Sequence, residues 1–253
     1  YSMNKNKIES LADNVINPIT GQLFSIPSLD MGGYADLRFI LREGGSMGDL
    51  YSRTDLRRDA NGAIYMDESN NVYTQKIDNP DSYIKLGSVL PKGNLAWRNN
   101  FMWKNFHVGF MISARLGGVV FSRTQAILDK FGVSEASADA RDNGFVLING
   151  NDRVNPENWY TTVGSTAVPQ YYTYSATNVR LQEASIGYTI PRKWLANVCD
   201  IKVSLIGRNL WMIYNKAPFD PEAVASTDNF YQGIDNFMMP SLRNVGFSLN
   251  FKF

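Results

Sequence analysis

His107 is the only histidine in the chain, so a His-based triad or a multi-His metal site would need all its other members from different residue types. Cys199 is the only cysteine, which excludes an internal disulfide and a thiolate metal site. Asp220 and Glu222 have the residue types of an acid/base pair for glycoside hydrolysis. The run DANGAIYMDESNN (Asp59 to Asn71) orders Asp, Asn and Gly much as a calcium loop does, but it lacks the later ligand spacing and the closing Glu. REGGSMGDLY has no Gly-Lys-Ser/Thr signature for phosphate, and its glycines read as turn residues. No catalytic residue, cofactor or metal is assigned from these groups, and the chain is expected not to be an enzyme.

Those residues must be carried by elements, and composition limits which. A formal charge of +1, with no basic stripe or acidic tail, gives no reason to expect nucleic acid. An aromatic content of 13% with 20 Gly suits a β protein. No window approaches the roughly 20 apolar residues of a membrane helix, so such a chain enters a bilayer only as a closed barrel.

The end of the chain, VGFSLNFKF, alternates strictly: Val245, Phe247, Leu249, Phe251 and Phe253 on one face, Gly246, Ser248, Asn250 and Lys252 on the other. A soluble sandwich strand and a barrel strand between lipid and a wet lumen both fit. Residues 93–117 point to the barrel. A two-residue turn at Lys104 and Asn105 would set Trp103 against Phe106, Phe101 against Val108, Trp97 against Ile112 and Leu95 against Ala114 on an apolar face, with Arg98, His107 and Arg115 on the other. Further alternation predicts strands at Tyr34 to Arg42 and at Asp200 to Gly207. In NVRLQEASIGYTIP, Val179 and Leu181 are out of phase with Ala184, Ile186, Tyr188 and Ile190, which a bulge near Gln182 and Glu183 would repair.

Connections are expected to be unequal, with short turns at Lys104–Asn105 and at 191–199 and long segments at 43–92, 117–177 and 215–240. Outer-membrane barrels have this asymmetry. Residues 122–140 are expected to hold one short helix. Trp159, Tyr160, Tyr171, Tyr172 and Tyr174, in or beside the second long segment, are candidate ligand or lid contacts, with loop packing as the alternative.

From position 178 onward the chain resembles the C-terminal strands of SusC/RagA-type TonB-dependent transporters of Bacteroidetes outer membranes. The resemblance is carried, in order, by Arg180-Leu181 before Gly187-Tyr188 and Pro191, then Arg208-Asn209-Leu210, Asp220-Pro221-Glu222, and Pro240 leading into the aromatic-ended strand. Upstream, LREGGSMGDLYS and the Gly-x-x-x-Pro lead into the hairpin at 93–117 extend it over nearly the whole chain.

The resemblance implies an all-β fold: residues 1–253 are read as the C-terminal portion, about seven antiparallel strands, of a barrel of roughly 22 strands with a plugged lumen and long extracellular loops. The plug and earlier strands lie outside this sequence. It implies outer-membrane import of oligosaccharides or peptides. Implied partners are a SusD-like surface lipoprotein, the TonB complex reached through the N-terminal region, the β-barrel assembly machinery and outer-membrane lipid. Asp220-Pro221-Glu222 then reads as a loop motif. The alternative is a soluble β-sandwich that binds glycans or acts on carbohydrate.

On the barrel reading, Leu37, Phe39, Trp97, Phe101, Val108, Phe110, Ile112, Val203, Leu205, Phe247 and Phe251 face lipid. Arg38, Arg98, Arg115 and Lys202 face the lumen, where buried charge needs acidic partners, water or an anionic substrate. Gly246, Phe247, Leu249, Phe251 and Phe253 form the expected assembly signal.

Overall fold

The computed structural model describes residues 1–164, 168–195, 198–226 and 231–252. Its largest element is one antiparallel sheet of six strands in chain order: β1 (Ser2–Met3), β2 (Gly93–Trp103), β3 (Phe106–Leu116), β4 (Asn178–Ile190), β5 (Asp200–Asn215) and β6 (Asn244–Lys252). The β2–β3 register is the one the sequence predicts, with Trp103 opposite Phe106, Phe101 opposite Val108, Trp97 opposite Ile112 and Leu95 opposite Ala114. Lys104 makes the turn with a φ of 54°, a conformation two-residue hairpins demand.

The predicted bulge is also present. Against β3, Met111 pairs with Glu183 and Ile112 with Leu181, so Gln182 is the extra residue. Skipping one position returns Leu181 and Val179 to the face that carries Ala184, Ile186 and Tyr188. Strand β5 answers with its own irregularity at Asn209 and Leu210, where Asn209 has a φ of 52°.

The strand registers make one face of this sheet apolar, with Asn99 opposite Phe110 as the exception on β2. Successive cross-strand rows read Phe106, Tyr188, Val203, Leu249, then Val108, Ile186, Leu205, Phe247, then Phe110, Ala184, Gly207, Val245. Most of its large residues are exposed, Phe247 by 78%. The opposite face holds Asn94, Arg98, His107, Ser113, Arg115, Arg180, Glu183, Lys202 and Asn250.

The long segments 4–92, 117–177 and 216–243 leave from the same end of the sheet, and together they build a second region with its own core. A four-stranded sheet (28–34, 37–42, 49–52 and 84–88) packs with Val119–Ser122, which pairs antiparallel with Thr173–Ser175 and parallel with Ile234–Asp235. Leu37, Phe39, Leu50, Val89, Phe121, Trp159, Tyr172 and Ile234 belong to one buried cluster.

Two sequence expectations change here. The stretch 34–42 is not a membrane strand: the chain turns at Ala35, φ 52°, and Leu37–Arg42 pairs with Ser28–Tyr34. Leu37 and Phe39 are therefore core residues of the loop region, not lipid contacts, because strands on both sides and the other loops cover them. The single helix expected at 122–140 is two, α1 (Arg123–Lys130) and α2 (Glu135–Asn143), separated by Gly132 at φ 66° and capped by Ser122 and Ser134. A third helix, α3 (Pro156–Val163), begins on an Asn155 cap with proline at its start.

Candidate functional site

The five loop aromatics converge. Trp159 and Tyr160 ride on α3, and Tyr171, Tyr172 and Tyr174 follow it, so all five line a cavity of about 650 Å³ bounded also by α1, the start of α2 and Pro218. Trp159 meets Tyr171 edge-on with centroids 5.5 Å apart, and Tyr174 meets Phe219 of the third long segment in the same way at 5.6 Å. Packing and cavity lining overlap here: Trp159 and Tyr172 belong to the buried loop core, Tyr160 and Tyr174 pack against it, and all four line the cavity with the more exposed Tyr171.

At the base of the cavity the Asp129 carboxylate accepts from the Gln125 amide at 2.7 Å and from the Tyr172 hydroxyl at 2.9 Å. Burial, and then the Asp129 charge, push the Tyr172 and Tyr174 phenols above their ordinary value. These tyrosines are therefore hydrogen-bond donors at any physiological pH.

A second constellation ties the loops to the sheet. Arg180, 4% exposed on the polar side of β4, makes salt bridges to Asp220 at 2.9 Å and to Glu222 at 3.2 Å. Its guanidinium also donates to the side-chain oxygens of Asn178 and Asn209. Ser241 donates to Asp220, and Asn209 donates to the Leu242 carbonyl. Burial alone would raise the Asp220 carboxyl, but the hydrogen bonds from Ser241, Arg180 and the Glu222 N–H outweigh it and hold it below the usual value.

An acid/base reading of Asp220 and Glu222 needs one carboxyl kept protonated. Both are instead partners of one guanidinium, and the geometry is that of an anchor.

Of the four cations expected in the lumen, Arg98, Arg115 and Lys202 share the polar face. Arg98 pairs with Glu183 at 3.3 Å, and Glu183 also holds Arg208 at 3.4 Å. Arg115 donates to the Val89 carbonyl of the loop region at 2.8 Å. Arg38 lies outside the six-stranded sheet and pairs with Asp30 at 2.9 Å, which removes it from any lumen lining formed by that sheet.

His107 meets the Thr189 hydroxyl at 2.8 Å. The calcium-like run forms two Asx turns. Asp59 accepts from the N–H groups of Asn61 and Ala63, and Asp67 from those of Ser69 and Asn71, which is the turn-forming role of such residues. Gly246, Phe247, Leu249 and Phe251 lie on β6, whose outer edge is unpaired among the described residues. Phe253 lies outside the described residues.

Sequence reasoning missed the Arg180 anchor and α3. Both had a signal: an arginine on the polar side of an alternating strand with an acidic pair downstream, and Asn-Pro-Glu at a helix start.

No family model matches the chain. A curated relative, TonB-dependent receptor P3 of Formosa agariphila, is 26% identical over an alignment that covers 100% of this chain and 26% of the relative. Among solved structures, the RagAB peptide importer in its closed-closed state superposes with a TM-score of 0.55 at 17% identity, covering 92% of this chain and 26% of that one. Its open-open state gives 0.57 at 13% identity, covering 96% and 31%. The chain is thus similar in sequence to a TonB-dependent receptor and in fold to the RagAB importer. It spans about a quarter of the length of the curated relative it matches.

In a barrel of the RagAB fold, the six-stranded sheet is part of the wall. The motifs that run from Arg180 to Ser241 are the parts of one buried ionic anchor between that wall and the loops above it.

Proposed function

We propose that the protein works in the outer membrane as a nutrient importer, with this chain forming wall and extracellular loops. The observation that carries the reading is the two-faced sheet: an apolar face left open across five strands, backed by a polar face, with all long connections at one end. In water such a face would be covered or would aggregate; in a bilayer, lipid covers it. The rival soluble sandwich requires a second sheet over that face, and none of the described elements lies there.

The cargo is a peptide or an oligosaccharide, taken up beneath a SusD-like surface lipoprotein. Likeness to the RagAB peptide importer supports the peptide arm and the paired assembly. Energy would arrive from the TonB complex through parts of the protein outside this chain. The β-barrel assembly machinery would engage the unpaired edge of β6 at Gly246, Phe247, Leu249, Phe251 and Phe253 by strand addition. Arg98, Arg115 and Lys202 then face the lumen.

The test is a spin-label scan of the full receptor in nanodiscs, with Cys199 replaced by serine and single cysteines at 203, 204, 205 and 206. Oxygen should reach the labels at 203 and 205 preferentially, and a water-soluble relaxation agent those at 204 and 206. Loss of this alternation would reject the wall assignment.

A further inference from the structure

The aromatic cavity contains an imbalance of charge. Asp129 is only 7% exposed, yet both its hydrogen-bond donors, Gln125 and Tyr172, are neutral. Among the described residues no Lys or Arg forms a salt bridge with it. Its neighbour Lys130 turns its ammonium to the Phe131 ring, 5.9 Å from the centroid, and Arg141 donates to the Gly132 carbonyl. The cavity wall adds Glu135 and no cation. Buried carboxylates are normally paired with a positive charge; Lys130 and Arg141 line only an adjacent cavity of about 320 Å³ that Asp129 also borders, and the aromatic cavity supplies no cation of its own.

The rest of the lining is what a cation prefers. Trp159, Tyr160, Tyr171, Tyr172 and Tyr174 line the same cavity as the carboxylate, and aromatic faces attract an ammonium or guanidinium most strongly where water is excluded. Tyr171, 38% exposed, stands where the cavity meets solvent. A volume near 650 Å³ exceeds what a lone ion needs and accommodates a long side chain with adjoining backbone.

We infer that this cavity binds the cationic side chain of a peptide, the ammonium of lysine or the guanidinium of arginine, with Asp129 as counter-ion and the five aromatic rings as the cage. The inference rests on the import reading for the source of the peptide, and it narrows the cargo toward basic peptides.

The experiment is calorimetric titration of the full receptor in nanodiscs with three probes: N-acetyl-lysine methylamide, N-acetyl-arginine methylamide and the uncharged N-acetyl-norleucine methylamide. At least one charged probe should bind ten-fold or more tighter than norleucine, the better of the two naming the preferred cation. Asp129→Asn should abolish the preference. Because that variant alters a buried hydrogen bond, Tyr171→Leu at the mouth serves as the second variant and should weaken the charged probes several-fold while leaving norleucine unchanged. Equal binding of all three probes, absence of binding at millimolar concentration, or a preference that survives Asp129→Asn would overturn the inference. Outer-membrane insertion and the spin-label alternation report separately on the import reading, so either can fail without the other.

Discussion

Phe39 and Phe247 are the same residue type on alternating strands, and the structure treats them in opposite ways: one is 1% exposed at the centre of the loop region, the other 78% exposed on the sheet. The loop region closes its apolar side chains around each other, as a water-soluble domain does. The sheet leaves its apolar side chains outward and keeps its charges on the reverse side, where Glu183 sits between Arg98 and Arg208. Two solvents are therefore written into one chain, and the boundary is where Arg180 joins the sheet to Asp220 and Glu222.

The largest expected effect comes from breaking that boundary. Arg180→Met leaves Asp220 buried without its counter-charge and should cost about 3 to 5 kcal/mol. Hydrogen exchange of the full receptor should show it as lost protection at 216–226 with protection in β2 and β3 retained. Uniform loss across the sheet would mean that the two regions are not separable.

Next in size is the lipid face. Leu205→Arg places a charge in the apolar band and should cost about 2 to 4 kcal/mol in refolding into vesicles, whereas Ser204→Arg, one residue away on the polar face, should cost far less. Equal costs would remove the distinction between the faces.

Acid should act on the boundary and spare the apolar face. The Asp220 carboxyl is held low in the folded state, so its contribution is complete above the ordinary aspartate range and disappears as pH falls through its own lower value. Protection at 216–226 should fall on acidification below about pH 4, and Asp220→Asn, already lacking the charge, should remove that pH dependence. The smallest effect is at the hairpin tip. Lys104 holds a left-handed φ of 54°, so Lys104→Gly should stabilise the β2–β3 hairpin by less than about 1 kcal/mol in the same refolding measurement.

The sheet was legible in the sequence because period-two alternation fixes both strand and register when a turn pins one end, and the phase break at Gln182 located its own bulge. Alternation does not say which solvent lies beyond the apolar face. That is why Tyr34 to Arg42 read as membrane strand: Leu37 and Phe39 alternate as well as Phe247 and Leu249 do, and only the loops that fold over them distinguish the two cases. The aromatic cavity was legible residue by residue, since all five rings were singled out. Asp129 was not, because an acidic residue on a short amphipathic helix gives no sign of burial until Tyr172, 43 positions later, is folded against it.

The buried cluster that contains Leu37 also contains Ile234, about three quarters of the chain length away, while each central strand of the sheet pairs with its neighbours in chain order. Contacts between distant positions form slowly because a long loop must close before they are rewarded. The wall can thus assemble hairpin by hairpin as the chain is delivered, but the loop region cannot finish until Ile234–Asp235 arrives to lie beside Val119–Ser122. Completion of the loop core is in this way timed to the arrival of the last strands, and a chain whose last strands are delayed would leave that core unfinished.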